Sequence, residues 1–479
     1  MKKNIWNIIK ILIMILGIST SIYFTVIITK LDIIPTKYYI IIVGLLVILN
    51  VLGIIGLFSK KLISKIFGII IFFVVSILSV IGINYGDDTL KFLNKAFNNN
   101  GIEVTGYSVA VLKSSNYDKL DNLDGKTMGY LSIDEEKSKF LAILKSKISC
   151  EVTPYDDVYS LYENLLDKKI DSIIIDEAYL DMLEDEYDDI NDRIKVIYNF
   201  EIESTIDKKD NNIDKLEPIN ILISGSDSRS GKIVTKTRSD VNMIMTINPK
   251  DHTILLTSIP RDYYVRLHGT TGNKDKLTHA GIYGINMTKQ TIEDVFDIKI
   301  DYTIKVGFNS VIELVDLIGG IDIDSDLEFI SHCGDGGAER TKVKKGINHF
   351  TGAQALSYAR ERYAYKEGDV HRVQNQQQVL EAIITKISKD KSILSKYDKL
   401  LESFSELYRT DIPEKYIKLI VKEQLDSMTS WKIEKQFVTG KGAREVTYSM
   451  PGRSLYVMIP DQDSVESAAN KINEYLGKE

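Results

Sequence analysis

The chain has 479 residues, with 60 lysines and arginines against 67 aspartates and glutamates, for a formal net charge of -7 at pH 7. At roughly 150 residues per domain, this length predicts about three domains. The modest charge and the lack of a basic tract in the sequence argue against a nucleic-acid partner. Cys150 and Cys333 are too few for a disulfide framework, and the six histidines lack the spacing of a zinc site.

Residues 1–85 are predicted to form a membrane anchor. Three runs, at 11–28, 38–58 and 66–83, are each about 18–21 residues long and almost free of charge, which suits a hydrocarbon core of roughly 30 Å. A signal peptide explains the first run less well, because two further apolar runs follow. Lysines precede the first run and separate the second from the third. The positive-inside rule therefore predicts a multi-pass protein of the cell membrane, with a cytoplasmic N-terminus and residues 86–479 outside.

Residues 86–217 are predicted to form a small α/β accessory domain that ends in a polar linker at 204–217. Strand-like runs alternate with runs of helical spacing, and a buried-looking strand at 170–175 ends at Asp176. The turn around Gly125 and the run before Asp176 resemble half of a periplasmic solute-binding domain. Because no ligand-binding arginine or aromatic clamp stands out, a scaffold or docking role is favoured over ligand sensing.

Residues 218–479 are predicted to carry the chemistry. Short β-branched runs at 221–224, 241–247 and 254–258 have the character of strands. If they pair antiparallel, the end of the first, the start of the second and the end of the third meet at one end of a sheet. The charged residues at that end are Asp227, Arg229, Arg238, Asp240, Arg261 and Asp262. Strands that only build a core rarely need so many charges at one end, so a functional site is predicted there.

The loop after the first of these strands does not match a nucleotide-binding P-loop. Five residues separate Gly225 from Gly231 where that motif has four, and Ile233 follows Lys232 where Ser or Thr would bind magnesium. An NTPase would also lie on the wrong side of the membrane.

Further downstream, two segments contribute more cations. The run 356–362 alternates like a strand, which predicts that Arg360 and Arg362 share one face. A helix after this run would present Arg372 and Gln376, four residues apart, on one side. Taken singly, such residues usually form surface salt bridges, but five clustered arginines would repel each other unless an anion lay among them. Arginine forks match phosphate oxygens, and two aspartates beside them suit a magnesium ion.

The motifs of this region resemble those of the LytR-CpsA-Psr (LCP) family. In chain order they are G-S-D-S-R, R-S-D-V, S-I-P-R-D, D-K-L-T-H-A, A-L-S-Y-A-R-E-R and H-R-V-Q-N-Q. Three membrane runs followed by an accessory domain are similar to the capsule-associated CpsA branch. The resemblance implies an extracytoplasmic phosphotransferase, dependent on Mg²⁺ or alternatively Mn²⁺, that moves an anionic glycopolymer from polyprenyl pyrophosphate to peptidoglycan at the membrane lipid surface. It also implies an α/β sandwich with a mixed central sheet and an apolar tunnel for the prenyl chain.

The resemblance assigns roles to single residues as well. It implies that Asp227 and Asp240 hold the metal, with Ser228 as the alternative at the first position. The residues that it assigns to pyrophosphate binding are Arg238, Arg261, Lys276, Arg360, Arg362, Arg372 and Gln376. Arg238, Arg261, Asp240 and Asp262 are the expected catalytic residues, and the general base is open between the two aspartates. Without metal, the paired Asp227 and Asp240 would repel, so one would bind a proton more readily than a free aspartate.

Two other functions remain alternatives. A membrane-tethered regulator would need a basic cytoplasmic segment that binds DNA, and only short lysine-bearing segments are predicted to face the cytoplasm. A ligand-sensing binding protein of cell-envelope synthesis would use the accessory domain as its receptor. It could lose the site arginines without losing its function.

Overall fold

The computed structural model describes residues 2–98, 102–134, 136–187, 189–205, 215–226, 234–332, 340–365, 369–389 and 408–478. Three helices open the chain: α1 (Lys2–Leu31), α2 (Thr36–Phe58) and α3 (Leu62–Asn98). Stretches of 27, 23 and 32 residues within them are long and apolar enough to cross a membrane. The three predicted runs are therefore confirmed as membrane-spanning candidates, and α3 continues beyond its predicted span toward the next domain.

Helices α2 and α3 approach each other closely at two glycines. A Cβ atom on Gly68 would lie 2.5 Å from the backbone nitrogen of Leu57, and one on Gly56 would lie 2.8 Å from the Cα of Gly68. Lipid tails are as apolar as the helix surfaces, so close backbone packing at small residues holds such helices together. Any larger residue at either glycine would push the two helices apart.

The accessory domain is a five-stranded sheet with the strand order β3-β2-β4-β1-β5. Its strands are β1 (Ile102–Leu112), β2 (Thr127–Leu131), β3 (Glu151–Tyr155), β4 (Ser172–Asp176) and β5 (Ile194–Thr205), and its helices are α4 (Lys137–Lys145), α5 (Val158–Leu166), α6 (Glu177–Glu186) and α7 (Ile190–Arg193), with a 3-10 turn at Leu120–Leu123. Every position of β4 is buried, which explains its continuous apolar sequence. Cys150 is a free thiol here, whereas Cys333 lies outside the described residues.

The following domain is built on a mixed sheet. Its strands are β6 (Ile219–Ser226), β7 (Val241–Asn248), β8 (Thr253–Ile259), β9 (Tyr264–Val265), β10 (Asp275–Lys276), β11 (Tyr302–Gly307), β12 (Ile321–Ser325), β13 (Phe329–Ile330), β14 (Lys342–Val343), β15 (Gly346–Phe350), β16 (Tyr408–Thr410), β17 (Lys432–Phe437), β18 (Gly440–Val446) and β19 (Ser454–Pro460). Six of them form the main sheet in the order β16-β11-β6-β7-β8-β17. Strands β6, β7 and β8 pair antiparallel, whereas β11 is parallel to β6 and β17 to β8. The predicted mixed sheet is confirmed.

The helices of this domain pack on both faces of the main sheet. They are α8 (Leu277–Ala280), α9 (Ile285–Phe296), α10 (Phe308–Leu317), α11 (Gly352–Arg360), α12 (Asp369–Lys389), α13 (Glu414–Ser427) and α14 (Gln462–Tyr475), with a 3-10 turn at Gly281–Tyr283. Beneath α9 and α14, Leu222 and Ile244 are 0% exposed. On the opposite face, Met243 and Leu256 are buried and pack with the partly buried Leu380 of α12. Both faces of the central strands are therefore covered, as is usual for such strands.

Candidate functional site

Asp240 immediately precedes β7, at the sheet edge where β7 begins and β6 and β8 end. Gly225 is opposite Val241 in the sheet, and the backbone N–H of Asp240 donates to the carbonyl of Gly225 over 2.9 Å. Arg261 Nη1 donates to Asp240 Oδ1 over 2.6 Å, and Thr278 Oγ1 donates to the same oxygen over 3.4 Å. The predicted meeting of charged strand ends is therefore confirmed for Asp240 and Arg261.

Three arginines control the charge of Asp240. Burial alone would raise the pKa of this carboxyl, but the charges of Arg238, Arg261 and Arg372 and the hydrogen bond from Arg261 hold the pKa well below its ordinary value. Asp240 is thus a carboxylate throughout the neutral range. The gain in proton affinity expected for one aspartate of the pair does not fall on Asp240, because the neighbouring cations outweigh its burial; Asp227 lies outside the described residues.

Asp262 connects one further cation, Lys276, to this group through Arg261. Its Oδ2 atom lies 3.8 Å from Arg261 Nε, and its Oδ1 atom lies 3.6 Å from Lys276 Nζ. These distances exceed those of direct hydrogen bonds, so the contacts are ion pairs across a short gap. Asp262 is itself buried, and its carbonyl accepts from the backbone N–H of Met458 over 2.7 Å. Arg261, Asp262, Lys276 and Asp240 therefore form one connected cluster.

The D-K-L-T-H-A segment is fixed beside the strand ends by its backbone and by a buried acid. Ser239 N donates to the carbonyl of Thr278 over 2.9 Å, and Thr278 N donates to the carbonyl of Arg261 over 2.8 Å. Asp275 is 0% exposed. Its Oδ1 atom lies 2.6 Å from His279 Nδ1. This anchoring holds Lys276 and Thr278 at the site, and the role of Thr278 was not evident from the sequence.

Lys305 of β11 is a second residue that the sequence reasoning missed. Its side chain is 1% exposed, and its Nζ atom donates to Ser224 Oγ over 3.3 Å. Ser224 Oγ lies 2.6 Å from the hydroxyl of Ser239, the residue before Asp240. Burial lowers the pKa of Lys305 to about 8, an effect that the charge of Asp240 opposes. The available signal was a lone lysine inside the otherwise apolar run 302–306.

The prediction that residues 356–362 form a strand is wrong. They belong largely to α11, which ends at Arg360. Gln354 Oε1 accepts from the backbone N–H of Thr351 over 3.0 Å, as in a capping box, and this local start signal outweighs the alternating pattern. Residues two apart on a helix point in different directions. Accordingly, Tyr358 is 0% exposed in the core, whereas the Arg360 guanidinium lies 5.2 Å from the ring centroid of Phe308.

The other predicted phosphate-binding residues differ in their surroundings. Arg372 and Gln376 both lie on α12, as predicted, and Arg372 is buried whereas Gln376 is partly exposed. Arg362 follows the end of α11 and is also partly exposed. Within the described part of the chain, the side chains of Arg362 and Gln376 form no hydrogen bond or ion pair with another residue. Both side chains are therefore available to a ligand.

The predicted metal site can be examined at one of its two positions. Asp227 and the alternative Ser228 lie outside the described residues. Among the residues that are described, no group of three or more His, Cys, Asp or Glu side chains is placed to hold a metal ion. Asp240 Oδ1 is occupied by Arg261, whereas no described residue donates a hydrogen bond to Asp240 Oδ2. Magnesium prefers several hard oxygen ligands, and the described residues supply one such oxygen, so the predicted magnesium site stays a prediction.

Comparison with known proteins places these features in a family context. The family model described as LytR_cpsA_psr matches residues 185–474. The polyisoprenyl-teichoic acid–peptidoglycan teichoic acid transferase TagU of Bacillus cereus is 35% identical over 203 residues, which are 42% of this chain and 63% of the relative. The enzyme of the same description, TagV, from Bacillus subtilis is 34% identical over 265 residues, or 55% of this chain and 66% of the relative. The chain thus spans somewhat less than two thirds of the length of these curated relatives.

Solved structures give similar matches. The crystal structure of B. subtilis TagV is 31% identical with a TM-score of 0.46, and the match covers 55% of this chain and 99% of that one. A structure of TagT bound to LIIa-WTA is 25% identical with a TM-score of 0.42, covering 55% of this chain and 91% of that one.

Proposed function

Because this chain belongs to the LytR_cpsA_psr family, we propose that it is a membrane-anchored phosphotransferase that moves an anionic glycopolymer from polyprenyl pyrophosphate to peptidoglycan. The observation that carries this proposal is the largely buried carboxylate of Asp240 among Arg238, Arg261 and Arg372. The names of the relatives, which are teichoic acid transferases that act on peptidoglycan, agree with this reaction class.

The balance of charges favours an anionic ligand. The described cations of the site are Arg238, Arg261, Lys276, Lys305 and Arg372, and the described carboxylates that interact with them are Asp181, Asp240 and Asp262. Among these described residues the cations outnumber the carboxylates, which favours an anion such as pyrophosphate. Arginine also suits phosphate by geometry, because its planar fork can bind two oxygens at once.

Helix α12 connects the charged and apolar parts of the proposed substrate site. Arg372, near its start, acts on the charge of Asp240. Eight residues later, Leu380 packs with Ile223 and Met245 of the sheet, and all three side chains are only partly buried. A carrier lipid could therefore place its pyrophosphate among the arginines and its prenyl chain along Leu380. This arrangement supports a polyprenyl pyrophosphate better than a free phosphate.

In the proposed reaction, a sugar hydroxyl of peptidoglycan attacks the phosphorus that carries the glycopolymer. The bond from that phosphorus to the bridging oxygen breaks, polyprenyl phosphate leaves, and the hydroxyl proton passes to a base. Arg238, Arg261 and Arg372 would neutralise the phosphate oxygens, since phosphoryl transfer depends mainly on positioning and charge stabilisation. Bound at Asp240, magnesium would add positive charge beside these oxygens. Asp240 is a weak base because its pKa is low, which favours Asp262 as the proton acceptor.

The function is tested with the full chain in detergent, a polyprenyl-pyrophosphoryl saccharide and purified peptidoglycan. We expect saccharide phosphate to appear on peptidoglycan and polyprenyl phosphate to be released in equal amount. Tight binding of the lipid without transfer to any acceptor would instead support the ligand-sensing alternative. Full cellular function after loss of the site arginines would support the same alternative.

The proposed topology gives a labelling prediction. Lys37 Nζ pairs with Asp426 Oδ1 over 2.9 Å and Lys422 Nζ with Asp32 Oδ1 over 3.0 Å, so the α1–α2 connection lies against the proposed transferase domain.

In a chain whose native cysteines are replaced by serine, Lys215→Cys is expected to react with an impermeant thiol reagent on intact cells. The matched variant Lys61→Cys, between α2 and α3, should react only after lysis. The reverse pattern would overturn both the topology and the transferase proposal.

Arg362 and Arg360 are expected to bind the pyrophosphate. Arg362→Ala should weaken binding of the carrier lipid by about 1.5–3 kcal/mol for each charged hydrogen bond lost. Melting temperature should hardly change, since Arg362 has no hydrogen bond or ion pair within the described chain. Arg360→Ala should weaken binding similarly, with a small additional loss of stability from its contact with Phe308. Titration calorimetry of the carrier lipid measures the affinity of both variants, and Arg444→Ala, which changes an exposed arginine, is the control. Unchanged affinity in both variants would show that Arg360 and Arg362 do not belong to the site.

A further inference from the structure

The accessory domain binds the segment that leads into the site. Thr235 N donates to the carbonyl of Val104 on β1 over 2.8 Å, and Val104 N donates back to Thr235 Oγ1 over 2.7 Å. Strand β4 pairs with β1 only from Tyr107 to Val111. At Val104, nearer the start of β1, the segment around Thr235 provides the backbone hydrogen bonds instead. Both Val104 and Thr235 are buried. The backbone three residues before Arg238 is therefore held by the accessory domain.

Helix α6 of the same domain reaches Arg238 itself. Asp181 Oδ2 lies 4.0 Å from Arg238 Nε, and the two side chains are only 13% and 14% exposed. The charge of Arg238 also acts on Asp240. Arg238 thus interacts with one carboxylate from each domain. At this degree of burial, the ion pair with Asp181 is screened by solvent much less than a surface pair.

The helix that carries Asp181 is rigidly placed against the transferase domain. Leu180 and Met182, which flank Asp181, are each 2% exposed. They belong to one hydrophobic cluster that also contains Ile282 and Met450 from the other domain. A shared core of this kind leaves little room for one domain to move against the other. Asp181 is therefore presented to Arg238 at a fixed position.

We propose that the accessory domain is a positioning device for the pyrophosphate site, with Asp181 as the positioning residue that holds Arg238. Arginine loses considerable rotamer freedom when it is fixed in one geometry. Without Asp181, the guanidinium would lose its ion pair on the accessory domain and would be held less firmly in the position in which it spans the phosphates. Pre-organised charge contributes to catalysis only if it is already in place when the transition state forms. This inference rests on the proposed function, and it assigns the accessory domain a role in the reaction without a ligand of its own.

The first test is Asp181→Asn in the full chain in detergent. We expect kcat for glycopolymer transfer to fall about tenfold, with a smaller change in KM for the lipid, because a misplaced group costs most in the transition state. Asp181→Glu should recover part of the rate, since it restores the charge. Asp192→Asn is the matched control: it makes the same change in the same domain on a side chain that is 86% exposed, and it should leave kcat unchanged.

A double-mutant cycle separates positioning from general stability. In an Arg238→Ala background, Asp181→Asn should change kcat less than about twofold, because the residue through which it acts is gone. An equal loss in both backgrounds would show that Asp181 acts through the fold, and would overturn the proposal, as would wild-type kcat in Asp181→Asn. Absence of transfer by the wild-type chain would refute the proposed function instead. The same cycle, measured on affinity for polyprenyl pyrophosphate alone, would then still test whether Asp181 acts through Arg238.

Discussion

Asp240→Asn is expected to reduce glycopolymer transfer by at least about two orders of magnitude, the scale for losing one preorganised electrostatic contact. The amide keeps the size of the carboxylate but not its charge, so it offers a poorer oxygen to magnesium. In the wild type, Arg261 Nη1 donates to Asp240 Oδ1 over 2.6 Å. In the variant, the same guanidinium would face a neutral amide. The measurement is the initial rate of saccharide transfer to peptidoglycan.

Chelation tests whether this loss involves a metal. A chelator should lower transfer by the wild-type chain to a similar extent and add little to the loss in Asp240→Asn. The control Asp322→Asn changes an aspartate whose side chain is 67% exposed, and it should leave both transfer and chelator sensitivity as in the wild type. Transfer by Asp240→Asn at the wild-type rate, insensitive to chelator, would remove the metal from the mechanism. The arginines alone would then stabilise the phosphates.

The strand ends of the site were predictable because the local signals and the long-range pairing agree. Three β-branched runs bounded by charged residues predict antiparallel strands, and the register of β6, β7 and β8 then brings Asp240 and Arg261 together. Family motifs extended this to Lys276 and Arg372. The strand prediction for residues 356–362 was wrong because the alternating pattern competes with a helix start at Thr351. In such a short segment, the capping box determines the secondary structure.

The remaining parts of the site depend on contacts that no local pattern encodes. Lys305 is 81 positions from Ser224 in the chain, and they meet only because β11 is parallel to β6. Asp181 lies in a different domain from Arg238, in a helix whose own sequence is that of an ordinary amphipathic element. Such pairings arise from tertiary packing. Sequence reasoning could therefore name the charged residues of one sheet end but not the residues that position them.

Arg261→Ala is expected to lower the stability of the fold by about 3 kcal/mol at pH 7, because it leaves Asp240 as a buried carboxylate without its nearest cation. The two side chains are only 14% and 11% exposed. Arg238 and Arg372 still partly balance the charge of Asp240. The loss of stability should therefore lie at the lower end of the range for breaking a buried ion pair. Melting temperature in detergent is the measurement. Lys435→Ala is the matched control, because it breaks an ion pair with Glu381 that is 35% exposed on each side and should cost less than about 1 kcal/mol.

Two further results distinguish a charge effect from lost packing. The double variant Arg261→Ala, Asp240→Asn should lose less stability than the sum of the single variants, since the Asp240 carboxylate is then no longer buried without its nearest cation. The depressed pKa of Asp240 means that the ion pair stabilises the folded state above the ordinary aspartate pKa, and that this contribution is lost as pH falls through the lower folded value. The difference in melting temperature between wild type and Arg261→Ala should therefore shrink below about pH 4. Additive losses, or a difference independent of pH, would mean that Arg261 stabilises the fold by packing and that the charge of Asp240 is balanced by the other arginines.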